Sequence, residues 1–172
     1  MRVILEEKQE RDFILMNKLF AIFVLLGVLS LSLQQCKKNT DTADFFTPVQ
    51  VKTQLNLNLP QYIALQSPQG YIYIPEGNKG TVVYSLPQGG FIAFDRTCSY
   101  NPSDACAAVT VDSNYVGLRC GKYDNGFKPC CNSMFDLNSG IATQKPASRP
   151  LKQYYTSYDE ANKILHVSST PF

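Results

Sequence analysis

The sequence predicts an all-β domain, and three features carry that expectation. Val49, Val51, Thr53, Leu55, Leu57 and Leu59 alternate with polar residues, the period-two signature of a half-buried strand. Turn clusters then recur along the chain at the close spacing that separates short strands in a sandwich or small barrel. No segment after residue 45 sustains helical periodicity.

The expected elements follow in order. Tyr62–Leu65 and Tyr71–Ile74 flank Ser67-Pro68-Gln69-Gly70 and read as a hairpin, and Thr81–Leu86 and Phe91–Phe94 flank Pro87-Gln88-Gly89-Gly90 as a second. Ala108–Val111 and Tyr115–Arg119 are joined by Asp112-Ser113-Asn114, and Met134–Leu137 and Ile141–Thr143 by Asn138-Ser139-Gly140. Gln153–Tyr158 and Ile164–Ser168 close the chain across Asp159 to Asn162. Ten Tyr, ten Phe and no Trp suit a β-rich core with half-buried aromatic edges.

A length of 172 residues favours one domain with room for a leader and linker, and an apolar fraction of 44% supports a real core. The net charge of +2, with no basic cluster longer than Lys37-Lys38, argues against nucleic acid or an anionic membrane surface as partner. Six Cys in so short a chain point either to an oxidising compartment or to a metal site.

Leu19 to Leu33 form a continuous apolar run, preceded by Lys18 and closed by Gln34-Gln35-Cys36. The run falls short of the roughly 20 residues that span a bilayer, so it reads as a secretory signal rather than an anchor helix. The pattern resembles the bacterial lipoprotein signal, in its looser Bacteroidetes form, with Gln34 and Gln35 where small residues are usual. That resemblance implies cleavage before Cys36, lipidation of its thiol, and a membrane anchor. The expected organisation is a signal peptide over 1–35, a lipidated Cys36 with a polar tether over 36–47, and a β domain over 48–172. A start at Met16 would give a more ordinary signal, which leaves residues 1–15 as a stretch that need not be translated. The domain is then expected in the bacterial cell envelope, tethered to a membrane on its periplasmic or surface face, with an envelope protein as a conceivable partner.

Two cysteine-bearing segments stand out: Asp95-Arg96-Thr97-Cys98-Ser99-Tyr100-Asn101-Pro102, running on to Cys106, and Pro129-Cys130-Cys131-Asn132-Ser133-Met134-Phe135-Asp136. The second is followed by Gly140, Pro146-Ala147, Arg149-Pro150-Leu151 and Tyr154. This resembles the Rieske domain, whose C-x-H and C-P-C-H-G-S-x-F-D loops clamp a [2Fe–2S] cluster. The S-x-F-D run, the glycine and P-A-x-x-P-L-x-x-Y carry the likeness, which spans roughly residues 80–168. It implies a Rieske-like antiparallel β sandwich with two cysteine-bearing loops at one end.

The cluster ligands do not carry over. A Rieske centre takes two Cys thiolates on one iron and two imidazoles on the other, and the chain has a single His, His166, in the expected last strand. By position Cys98 retains the first Cys, Tyr100 replaces the first His and Cys131 the second. Lys128 stands at the second Cys, unless Gly121–Phe127 is an insertion and Cys120 is the counterpart. No cofactor is therefore expected. The alternative is electron transfer through an atypical [2Fe–2S] cluster, or another metal, held by Cys98, Cys120, Cys130 and Cys131, although the adjacency of Cys130 and Cys131 is poor geometry for two ligands of one metal.

Arg2 and Arg11 are not adjacent, so no twin-arginine signal is visible, and thiols threaded unfolded into an oxidising compartment are expected to pair. The resemblance implies a disulfide between Cys106 and Cys130, the positions at which respiratory Rieske proteins tie their two loops. Cys98 and Cys131 form a second candidate pair across the vacated cluster pocket, with Cys120 left over. The resulting expectation is a non-catalytic structural or interaction module, with disulfides where a cluster would sit. Thiol–disulfide chemistry near Tyr100 is a further alternative. Ser133 and Asp136 read as turn-capping residues, and Tyr154 and Tyr158, on one strand face, as packing residues. No catalytic constellation is readable.

Overall fold

The structure, a computed structural model, describes residues 49–112 and 117–172. The expected leader, Cys36, the tether over 36–47, and Ser113, Asn114 and Tyr115 lie outside the described residues. No helix among the described residues is long and apolar enough to cross a membrane.

Among the described residues ten strands run in chain order: β1 (Lys52–Asn56), β2 (Tyr71–Ile74), β3 (Thr81–Ser85), β4 (Phe91–Asp95), β5 (Val109–Asp112), β6 (Gly117–Tyr123), β7 (Phe127–Asp136), β8 (Ala142–Gln144), β9 (Gln153–Asp159) and β10 (Ile164–Ser168). They form a six-stranded sheet in the order β1-β10-β9-β4-β3-β2 and a four-stranded sheet in the order β5-β6-β7-β8. Every pairing between them is antiparallel. The all-β antiparallel class read from the sequence is the one observed.

Two elements differ from expectation: β7 begins at Phe127, seven residues before the expected Met134, and the first expected hairpin lacks its leading strand. Residues 62–65 are not a strand but part of a 3₁₀ helix over Pro60–Gln66. Pro60 fixes φ in the first turn and has no N–H to give a ladder. Of the seven residues only Leu65 is buried, so a single apolar anchor suffices to hold the turn against the sheet.

Side-chain alternation divides the interior into two cores. Val82, Tyr84, Ile92 and Phe94 of the larger sheet meet Val109, Val111, Leu118, Cys120 and Phe135 of the smaller. On the opposite face of the larger sheet, Val83, Ala93, Tyr154, Leu165 and Val167 pack with Val51, Leu55 and Leu65. Adjacent residues Val82 and Val83 thus feed different cores, as period-two geometry requires, and all five residues of β3 are buried. The sheets are also stitched by polar contacts: the Val109 N–H donates to the Arg96 carbonyl at 2.6 Å, and the Val111 N–H donates to the Tyr73 hydroxyl at 2.9 Å.

Asp95 ends β4 with no solvent exposure. A carboxylate removed from water must have its oxygens saturated, and here it accepts from the Tyr154 hydroxyl at 2.7 Å, the Asn78 N–H at 2.8 Å and the Thr97 N–H at 2.8 Å. Gly77 precedes Asn78 at φ +104°, and a Cβ there would lie 2.8 Å from Asp95 Oδ2, so the chain can approach the carboxylate only as glycine.

Burial, with the adjacent Asp95 carboxylate second, pushes the Tyr154 hydroxyl well above its ordinary value. A folded-state value raised above the unfolded one gives stabilisation that is complete below about pH 10 and drains away as pH rises further, because the unfolded chain ionises first. Denaturant titrations across that range are expected to show stability falling with pH, and Tyr154→Phe is expected to flatten that fall. At neutral pH the same variant, having withdrawn a hydrogen bond from a buried charge, is expected to cost about 1.5–3 kcal/mol.

Candidate functional site

The site grows from a break in strand register. Along β6 and β7, Gly117, Leu118 and Arg119 face Asp136, Phe135 and Met134, but the next paired residue, Gly121, faces Pro129. Cys120 alone therefore stands opposite the four residues Cys130–Ser133, and the surplus length makes β7 bow outward as the second cysteine loop. Gly121 makes the break possible. Its φ is +146°, and a Cβ would meet the Lys128 carbonyl oxygen at 2.3 Å. Its N–H donates to the Ala108 carbonyl at 2.7 Å and its carbonyl accepts from Thr110 Oγ1 at 2.6 Å, which fixes the neighbouring Cys120.

The first cysteine loop leaves β4 at Asp95 and returns to β5. Thr97 bridges Ala108, the Cys98 N–H donates to the Ala107 carbonyl at 2.9 Å, and Ser99 Oγ donates to the Arg149 carbonyl at 2.6 Å. Cys106 and Cys130 join the two loops in a disulfide with a Cα–Cα distance of 5.5 Å, within the ordinary span for such a bridge.

Cys98 and Cys131 do not form the second disulfide that the sequence suggests. Their sulfurs lie 3.8 Å apart, and both are free thiols along with Cys120. The reason is that Cys120 is not a bystander: the three sulfurs lie within 4.8 Å of one another, so the candidate pair is two corners of a triangle. The four-cysteine metal set is corrected by the same geometry. Cys130 is committed to Cys106, and its strand neighbour Cys131 points the other way, into the nest.

The other sequence-derived positions separate cleanly. Lys128 is exposed and pairs with Asp124 across the β6–β7 turn at 2.6 Å, so Cys120 rather than Lys128 sits with Cys98 and Cys131. Tyr100 is 52% exposed. His166 lies in β10 opposite Gln54 and Ser157, with its ring 6.1 Å from that of Phe172. Asp136 caps its own turn, accepting from the Ser139 N–H at 2.8 Å and the Asn138 N–H at 3.1 Å. Ser133 is buried and accepts from the Ala147 N–H at 2.9 Å and from the Cys131 thiol at 3.2 Å.

The nest is apolar on one side and wet on the other. Cys98 and Cys120 belong to the core with Val109, Leu118, Phe135 and Leu151, whereas half-buried Cys131 borders a cavity of about 430 Å³ lined also by Arg119, Asn132, Met134 and Gln144. The Cys120 thiol donates to Cys98, and the backbone N–H groups of Tyr100 and Asn101 add to it. Together they hold the Cys98 sulfur as a thiolate, lowered to about 6 despite burial. The Cys120 thiol, as donor to that thiolate and buried beside it, is pushed far up. Three sulfurs so arranged can coordinate a soft cation or share protons. They cannot build a [2Fe–2S] centre of the mixed kind, which needs four ligands including two imidazoles.

No protein-family model and no curated protein matches the sequence. Among solved structures the chain is similar to the ferredoxin of carbazole 1,9a-dioxygenase from Nocardioides aromaticivorans IC177, at 14% identity and a TM-score of 0.44, over 72% of this chain and 100% of that one. A Sphingomonas yanoikuyae B1 ferredoxin matches at 16% identity and a TM-score of 0.40, over 63% and 94% of the two chains. A protein assigned as the small subunit of an NADH-dependent nitrite reductase from Mycobacterium tuberculosis matches at 13% identity and 0.42, over 73% and 100%. Likenesses at this level carry no functional inference.

Removing the bridge by the double change Cys106→Ala and Cys130→Ala is expected to lower stability by about 3–4 kcal/mol in the chain-entropy account. Denaturant unfolding with and without a reductant checks this; reductant should destabilise the native chain and leave the double variant unmoved.

Proposed function

We propose that the chain is a lipid-tethered module of the bacterial cell envelope, built on a Rieske-like scaffold and serving a non-catalytic structural or interaction role. In place of the cluster the scaffold carries one disulfide and a nest of thiols. One observation supports this reading above others: where the two cysteine loops converge on β6, three thiols meet and no imidazole.

The S-x-F-D segment supports the Rieske-like reading in particular. Ser133 holds both Cys131 and the backbone at Ala147, so the two halves of the matching sequence meet at the site. The bridge between Cys106 and Cys130 accords with an oxidising compartment, and so with export by the apolar leader that ends at Cys36.

The membrane tether is tested by metabolic labelling with a radioactive fatty acid in a bacterial host. Native chain is expected to be labelled and to sediment with membranes, and Cys36→Ala to lose the label. The absence of a cluster is tested on protein isolated from membranes without refolding. It is expected to be colourless, with no acid-labile sulfide. Visible absorbance accompanied by equal iron and sulfide would reject the reading.

A further inference from the structure

We propose that Cys98, Cys120 and Cys131 form a mononuclear site for a thiophilic divalent cation of the zinc class, with solvent from the Cys131 cavity as fourth ligand. The proposal goes beyond the structural role argued above, and it concerns one ion rather than a cluster.

Geometry carries it. Thiolate–zinc bonds of about 2.3 Å set the sulfur–sulfur edge of a tetrahedral site at about 3.8 Å. Cys98 Sγ and Cys131 Sγ are separated by 3.8 Å, and all three sulfurs fall within 4.8 Å. Small rotations of one side chain would complete the triangle. The three residues come from separate elements, the loop after β4, strand β6 and the bowed part of β7. Such convergence differs from two neighbours on one strand, and backbone hydrogen bonds at Cys98 and at Gly121, next to Cys120, fix two of the three.

The surroundings fit a structural-metal shell with one open face. Ser133 and the Ala147 N–H orient the Cys131 side chain, the kind of outer contact that holds a metal ligand in place. Val109, Leu118, Phe135 and Leu151 close the buried side, and the cavity bordered by Arg119, Asn132 and Gln144 admits water to the other. Charge selects the ion. Three thiolates around a divalent cation leave a net −1, and around a monovalent one −2, which an apolar pocket tolerates far less well. Binding releases the protons of whichever sulfurs were thiols, and no electron transfer is involved.

The test uses full-length protein isolated from membranes with its disulfide intact. Zinc content is measured by elemental analysis, and affinity by competition between added zinc and a chromophoric chelator. One zinc per chain without acid-labile sulfide is expected. Replacement by cobalt should produce thiolate-to-metal charge-transfer absorption, and zinc should shield half-buried Cys131 from alkylation until chelator is added. Cys98→Ser, Cys120→Ser and Cys131→Ser should each weaken zinc binding by more than about 100-fold, the loss of a direct ligand exceeding that of an outer contact. Cys131, at the surface of the nest, is the variant least able to disturb folding. Failure to take up one zinc, retention of affinity in Cys131→Ser, or a Cys98–Cys131 disulfide in non-reduced peptides would overturn the site while leaving the scaffold reading intact. Iron with labile sulfide would overturn both.

Discussion

A buried carboxylate governs how this domain closes. Asp95 sits at the point where β4 ends and the first cysteine loop begins, and its three donors come from different parts of the chain: Tyr154 on β9, Asn78 in the loop before β3, and Thr97 one step from Cys98. A charge in that position is costly unless every lone pair is matched. The backbone is accordingly held to one path through the junction. Cys98 inherits its position from that requirement, because only two residues separate it from Thr97's partner. The larger sheet, the loop and the entrance to the smaller sheet are set by one group.

The second half of the site has a different origin. Nothing charged places Cys120 and Cys131; the mismatch between β6 and β7 does. Strand pairing is kept on both sides of the mismatch, so the bowed segment Cys130–Ser133 is gripped at each end and cannot relax into an ordinary loop. Within it, alternation sends Cys130 outward to Cys106 and Cys131 inward to the nest. Two neighbouring residues of one type thereby acquire opposite roles, one covalent and mechanical, one available for coordination or proton sharing.

Much of the fold is legible in the sequence because its strands are amphipathic or end in turn residues. The alternation from Val49 marks β1, and the Pro-Gln-Gly-Gly segment at 87–90 marks the β3–β4 hairpin, whose register follows directly. Tyr62–Leu65 misleads because a short apolar-aromatic run reads alike in a strand and in a 3₁₀ turn, and only the position of Pro60 distinguishes them. The start of β7 at Phe127 is hidden for a related reason: the surplus residues at 130–133 interrupt the alternation that begins again at Met134. In the site, the Cys106–Cys130 proximity follows from the loop resemblance. The part played by Cys120 enters the sequence reading only as an alternative, the counterpart of the second cluster cysteine if Gly121–Phe127 is an insertion, and its spacing from Leu118 places both on the inward face of one strand. What the alternation alone does not give is the meeting of this face with Cys98 and Cys131, since that depends on the register break at which Cys120 stands opposite Cys130–Ser133.

The chain enters the described domain at residue 49 and immediately forms an outermost strand whose first paired residue, Lys52, lies opposite Ser168. Leu55 of this strand and Val51 just before it belong to the core on one face of the larger sheet, together with Leu165 and Val167 of β10. The four-stranded sheet takes no part in that core, its buried residues packing on the other face of the larger sheet. A change at this edge strand therefore falls on the core that the three sulfurs do not share.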